Sequence, residues 1–367
     1  MQHSGNARVA HQEGAEETQP ADAASTLSGF RVHAWGGPLV REEWPRAEPG
    51  PGELRVDVEA CGVGRTVLNC IAGDLADGRA RLPRVPGHEL VGRVARVGPG
   101  VDPTRIGERV VAYFYRFCGR CHECADGRQS RCAALDGFVG VHSDGGYAPS
   151  AVLPARNAVP VPDGLDPVAA TVVPDAVATP VHVCEQRARV TAGDRVVVIG
   201  AGGGVGVHLV QVALLHGARV VGLDVGDEKL AAVERLGAVA RDSTRFDAVD
   251  PAALWPDGPP HVVVDLLGSD DSLPWSAAAL GTGGRLVVLT TFPGQALAVE
   301  PRELVFREAS LVGSRYASVA EVTTAARLVA SGRVTPVVGE VVGPDGIAGL
   351  HEGLRDGLLV GRGALVW

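Results

Sequence analysis

The run Arg195–Ile199 leads without a break into Gly200-Ala201-Gly202-Gly203-Gly204-Val205-Gly206, and an apolar stretch with helical spacing follows. A β-branched run, a turn too rich in glycine to be anything but tight, and a helix form the opening of a βαβ unit. Ala201, Gly203 and Gly206 fit an A-x-G-x-x-G pattern. Small residues there let the backbone approach a pyrophosphate, and the helix N-terminus supplies free N–H groups and a positive dipole end. Ala201, Gly202, Gly203, Gly204, Val205 and Gly206 are therefore read as a phosphate cradle. The next strand-like run, Ala218–Leu223, ends in Asp224, 18 residues after Gly206. A carboxylate at that place accepts hydrogen bonds from an adenosine ribose and repels a 2′-phosphate. NAD(H) is thus favoured over NADP(H), and Lys229, one helical turn on, is placed over the same ribose.

The alternation continues beyond this unit. Apolar runs at Arg195–Ile199, Ala218–Leu223, His261–Leu266 and Arg285–Leu289 are separated by helical stretches at Gly206–His216 and Asp227–Leu236. This predicts an α/β, doubly wound parallel sheet of the Rossmann type. From Gly29 to about Pro174 the rhythm differs. Short runs such as Glu53–Val58, Leu90–Val97 and Arg109–Phe114 are broken by Gly and Pro every eight to twelve residues, which predicts a β-rich domain. A helix at Val319–Ala330 then leads into a second β pattern ending at Trp367. The expected divisions are a disordered tail over 1–27, a β-rich domain over 28–175, a dinucleotide-binding domain over 176–316 and a C-terminal return over 317–367.

Charge narrows the partners. The net charge is −9 and no Lys/Arg-rich run is present, which argues against nucleic acid and against an anionic membrane surface. The first residues are polar, with no apolar core of a signal peptide. Val196–Leu215 is apolar enough to suggest a membrane span, but its glycines, His208 and Gln211 fit strand, turn and buried helix better. A cytoplasmic chain acting on a small molecule is the expectation.

Four of the seven cysteines, Cys118, Cys121, Cys124 and Cys132, fall within fifteen residues. In a reducing compartment such a cluster favours metal over disulfides. Four thiolates with no open position suit a structural tetrahedral Zn²⁺. His122, inside the loop, is surplus to that count.

These features, with Pro86-Gly87-His88-Glu89-Leu90-Val91-Gly92, Gly107-Glu108-Arg109-Val110, Asp144-Gly145-Gly146-Tyr147-Ala148 and the terminal Gly361-Arg362, resemble the zinc-containing medium-chain dehydrogenase/reductase family. The resemblance implies a GroES-like catalytic domain beside the Rossmann domain. It also implies a cleft in which a catalytic zinc has three protein ligands. The first ligand position falls on Gly64, which has no side chain, and the carboxylate that orients the ligand histidine is replaced by Val67. The second position is kept as His88, followed by Glu89, and the third is Asp175. Two outcomes stay open: a degenerate zinc site of His88, Glu89 and Asp175, or loss of the catalytic zinc with His88 and Asp175 acting as acid and base. Thr66 matches the hydroxyl of the family's proton relay, whose terminal histidine is replaced by Asn69. Cys61 and Cys70, close to the vacancy, read as buried packing. Val67, Phe114, Tyr115, Leu289 and Phe292 are the expected cleft walls.

The implied activity is hydride transfer between NAD(H) and a small organic substrate, with an alcohol/carbonyl pair first. The alternatives are zinc-independent reduction of an activated C=C or C=N bond, or a non-catalytic NAD-binding protein. A homodimer or homotetramer is expected.

Overall fold

The computed structural model describes residues 26–289 and 294–367. The tail reading up to residue 25, and Phe292 as a cleft wall, lie outside the described residues. At its inner end the tail expectation is corrected. Thr26 and Leu27 already belong to the strand Thr26–Arg31, paired antiparallel with Val40–Pro45, because Leu27 buries its side chain in the β-domain core.

The β-rich part is built on a seven-stranded sheet. Its centre is the long strand Glu53–Val63, which lies between Glu89–Val97 and Arg362–Val366 and is antiparallel to both. This strand runs five residues past the expected Val58, because Ala60, Cys61, Gly62 and Val63 are all buried and continue the ladder. The C-terminal strand thus returns to the first domain and pairs in its middle.

The second sheet has six parallel strands: β1 (Arg195–Ile199), β2 (Arg219–Asp224), β3 (Val239–Asp242), β4 (Val262–Asp265), β5 (Arg285–Val288) and β6 (Ser310–Gly313). Their spatial order is 3-2-1-4-5-6. The order reverses beside β1, and in such sheets the crevice at that switch point takes the ligand. Val196, Val197, Val198 and Ile199 are all buried, as expected of a strand covered by helices on both faces. The apolar stretch Val196–Leu215 resolves into β1, the turn and the buried helix Gly206–Leu215.

A 21-residue helical run, Pro167–Arg187, passes through the division expected at 175/176. It is long and apolar enough to cross a membrane, but 72% of its apolar window is buried inside the fold, as in a core helix. The run is interrupted by a π-helical turn at Val173–Val177, the kind of irregularity often found at functional sites.

Candidate active site

Sheet register brings the cleft residues together. Gly363 pairs with Val63, so continuing the ladder sets Arg362 opposite Gly64. On the other side of the central strand Gly62 pairs with Glu89. The π turn of the long helix brings Asp175 against the same edge. A left-handed Gly87 (φ 95°) turns the chain just before the strand, so that His88 and Glu89 both reach the cluster instead of pointing to opposite faces. One ligand-type atom each from His88, Glu89 and Asp175 lies within 4.8 Å of the others.

The space between them is filled. Arg362 Nη2 donates to Glu89 Oε1 at 2.5 Å and to Asp175 Oδ2 at 2.7 Å. A Cβ at Gly64 would fall on Arg362 Nη1. The guanidinium therefore occupies the room that a side chain at the first ligand position would need. Thr179 Oγ1 donates to the other Asp175 oxygen at 2.7 Å. Burial raises the Glu89 carboxyl above its ordinary range, against the pull of Arg362. Burial also works to raise Asp175, but His88 and the Arg362 charge prevail and hold it below the usual carboxylate range. Burial opposes the Arg362 charge as well; Glu89 and Asp175 more than offset it.

His88 is 1% exposed and its ring lies 4.4 Å from that of Phe114, centroid to centroid. Neither ring nitrogen has a hydrogen-bond partner among the described residues, and Nε2 lies 3.7 Å from Asp175 Oδ2, beyond hydrogen-bond reach. Val67, where the resemblance implies an orienting carboxylate, is fully buried. Thr66 and Asn69 are half-buried, three residues apart on the helix Arg65–Ala72. Cys61 and Cys70 are buried thiols pushed up by desolvation, and neither belongs to the His88–Glu89–Asp175 group. Tyr115 is buried with Phe114, while Leu289 is half-buried.

The dinucleotide cradle lies directly behind Arg362. Gly202 N donates to Asp224 Oδ2 at 2.7 Å and Val225 N to Oδ1 at 2.8 Å, so Asp224 shapes the loop as well as ending β2. Lys229 Nζ is 3.8 Å from Asp224 Oδ1. Ala201 is buried beneath the loop, and a Cβ at Gly206 would strike the Gly200 carbonyl. Gly361 N donates to Gly202 O at 3.0 Å, and a Cβ at Gly204 would come within 2.7 Å of Arg362 Cδ. Gly203 bridges Gly361, and Val205 precedes the helix Gly206–Leu215. In the sequence Arg362 stood out only within the terminal Gly361-Arg362 segment of the resemblance, with no place in the cleft assigned to it.

The cysteine lobe fits a zinc ion. Cys121 Sγ is 3.5 Å from Cys124 Sγ and 3.9 Å from Cys132 Sγ, and Cys118 Sγ is 3.9 Å from Cys124 Sγ. Four thiolates about 2.3 Å from a tetrahedral Zn²⁺ would lie roughly 3.8 Å apart. Backbone N–H groups lower the Cys121 thiol to about 6. His122 points to solvent, as its surplus status implied. The cleft does not fit a catalytic zinc in the same way: the first ligand is absent, and Asp175 and Glu89 are already engaged by a cation of the chain itself.

Residues 50–163 match the alcohol dehydrogenase GroES-like domain family and residues 204–331 the zinc-binding dehydrogenase family. An alcohol dehydrogenase of Geobacillus stearothermophilus is 32% identical, over 88% of this chain and 94% of the relative. The acryloyl-coenzyme A reductase of Metallosphaera sedula is also 32% identical, over 77% of this chain and 83% of the relative. Among solved structures, a thermostable alcohol dehydrogenase from Pyrobaculum aerophilum superposes with a TM-score of 0.83 at 28% identity, covering 93% of this chain and all of that one. The chain belongs to the zinc-type medium-chain dehydrogenase/reductase family. It is an NAD(P)-dependent oxidoreductase acting on a small molecule.

Proposed function

We propose that this enzyme uses NADH to reduce an activated C=C bond, conjugated to a carbonyl, without a catalytic metal. The observation that carries the reading is Gly64 at the first ligand position, where no side chain can reach a metal, with both His88 ring nitrogens unpartnered among the described residues. A bound reduced nicotinamide supplies the hydride. The Gly200–Gly206 loop and the helix behind it orient the pyrophosphate, and Asp224 receives the ribose diol. His88 offers a buried N–H to the substrate oxygen, and a buried polar group without a partner costs free energy until it finds one. Hydride addition to a ketone leaves an alkoxide, a strong base that calls for a Lewis acid. Addition at the far carbon of a conjugated bond leaves an enolate, whose charge is spread and which a hydrogen-bond donor can stabilise. Asp175 stays ionised beside His88 and Arg362, and an imidazole at this place is the side chain that can hand a proton to the enolate.

The alcohol/carbonyl pair is the second reading, favoured by the alcohol dehydrogenases among the relatives. NADH oxidation against matched enones and saturated ketones separates the two. The proposal expects the saturated carbonyl as product from enones; turnover confined to ketones or alcohols contradicts it.

The cysteine lobe is proposed to hold one structural zinc, and NAD(H) is the proposed cofactor. Among the described residues strand β6 pairs only with β5, and Leu311 on it and Val305 and Phe306 on the preceding helix are exposed. An unpaired strand edge with apolar flanks supports a homodimer joined there; a monomeric mass in solution would contradict it.

A further inference from the structure

Just beyond β6 the chain passes through Tyr316, whose φ of 52° lies in the left-handed region. A non-glycine residue held there is strained, and it persists only where its surroundings over-determine it. Arg189 and Glu308, the other such residues among the described ones, are exposed, whereas Tyr316 is buried. Its ring stands among those of Tyr113, Phe114 and Tyr115, with centroids 5.1, 5.9 and 5.0 Å away. Its hydroxyl donates to Pro174 O at 2.6 Å and accepts from Phe114 N at 3.3 Å. Tyr113 returns the contact by donating to Ala317 O at 2.6 Å. Burial raises both phenols, so each stays a donor.

Pro174 is a weak point of the long helical run. Proline has no N–H, and its ring presses on the carbonyl four residues earlier, so the regular ladder cannot pass through it. Here the run widens into the π turn Val173–Val177, and Val177 N reaches back five residues to Val172 O at 2.8 Å. Asp175 is carried on that turn. Its approach to His88 therefore depends on a widened geometry that a helix by itself seldom adopts. On the other side of the same hydroxyl, Phe114 packs against the His88 ring.

We infer that Tyr316 is a positioning residue for hydride transfer: its hydroxyl fixes the π turn that carries Asp175 relative to the strand end that carries Phe114, and so sets the two contacts that frame His88. The inference rests on the reading of His88 and Asp175 as the groups that face the substrate, and it holds for either bond the enzyme reduces. Tyr316 acts through Asp175 and Phe114. Because it follows the carboxyl end of β6, on the edge of the sheet where the dinucleotide crevice lies, the same hydroxyl ties the cofactor's sheet to the cleft.

Tyr316→Phe keeps the ring and removes the hydroxyl. Tyr113→Phe is the control, since it removes the returning hydroxyl and leaves the π turn its own tie. Zinc-loaded enzyme is assayed for NADH oxidation with cyclohexenone and with cyclohexanone. For whichever the wild type reduces, Tyr316→Phe should lower kcat by about 10²-fold, the scale of a small misplacement of reacting groups. KM and the NADH dissociation constant should stay within a few-fold, and Tyr113→Phe should keep most of kcat even if its melting temperature falls as far. Hydrogen exchange gives a second reading without turnover: the Val177 and Ala178 amides should exchange faster in Tyr316→Phe than in the wild type or Tyr113→Phe. Equal exchange there in all three proteins overturns the inference, as does the same kcat in the two variants. His88→Ala in the same assay separates the two levels. If it abolishes turnover while Tyr316→Phe does not, only the role of Tyr316 falls; if it leaves kcat unchanged, the reading of the cleft falls with it.

Discussion

His88 is held against Phe114 with no partner on either ring nitrogen among the described residues, so a bound molecule is what would satisfy it. If it donates a proton or hydrogen bond to substrate, His88→Ala should lower kcat/KM by about 10²- to 10⁴-fold. NADH affinity, set by the loop and Asp224, should stay within a few-fold. An unchanged kcat/KM would remove His88 from the mechanism. Asp224 carries the choice of cofactor. With both oxygens already receiving backbone N–H groups, the carboxylate is fixed in place and cannot swing away from a 2′-phosphate. NADH should bind more tightly than NADPH, and Asp224→Ser combined with Val225→Arg should reverse the order; a wild-type preference for NADPH contradicts this assignment. Both residues were legible in sequence, because each sits at a fixed offset from a local motif. Arg362 was not. It lies 298 positions from Gly64, and only the antiparallel register of the first and last strands of the cleft sets them face to face. A glycine in place of a ligand reads in sequence as loss; in the fold it is a space with an occupant.

At the scale of elements, the helix Gly206–Leu215 does more than present its N-terminus to a pyrophosphate. His208 on it is fully buried; its Nε2 accepts from Val337 N at 3.1 Å, which leaves Nδ1–H to donate to Gly204 O at 2.7 Å. Val337 O in turn accepts from Arg362 N at 2.9 Å. One neutral imidazole thus ties the cofactor loop to the segment that positions Arg362. Burial lowers the His208 pKa from 6.5 to about 4. Its contribution to stability is therefore fully present above pH 6.5 and is lost as pH falls towards 4, when the unfolded chain takes up the proton first. The size is on the order of 3 kcal/mol. Glu89, raised by burial, works in the opposite sense, so the test is a comparison. His208→Gln keeps a donor and an acceptor but does not titrate, and its melting temperature should fall less between pH 6.5 and 4.5 than that of the wild type. Equal slopes would show that His208 is not the group responsible. The periodic elements themselves were readable: the helix Val319–Ala330 matches its expected span, and β1 does too. The strand through Cys61 and Gly62 was cut short in sequence because its last residues lack alternation, being buried on both sides.

Over the whole molecule, the C-terminal strand is what closes the account. It crosses back from the dinucleotide-binding sheet to the centre of the first sheet, and at its first residue it carries a cation that lies against both the cofactor loop and the cleft. The family's two metal positions have consequently diverged in this chain. The cysteine lobe keeps four converging thiolates, whereas the cleft has exchanged a ligand for room and filled the room with Arg362. The central claim is that hydride transfer here needs no metal in the cleft. The most direct test is zinc content per chain in fully active wild-type enzyme, measured beside Cys121→Ser. A structural site contributes folding free energy directly, so losing it should also lower the melting temperature of the variant. The account predicts about one zinc per chain in the wild type, from the single four-thiolate site, and close to none in Cys121→Ser. Two tightly bound zinc ions in the active wild type, one of them surviving in Cys121→Ser, would contradict it.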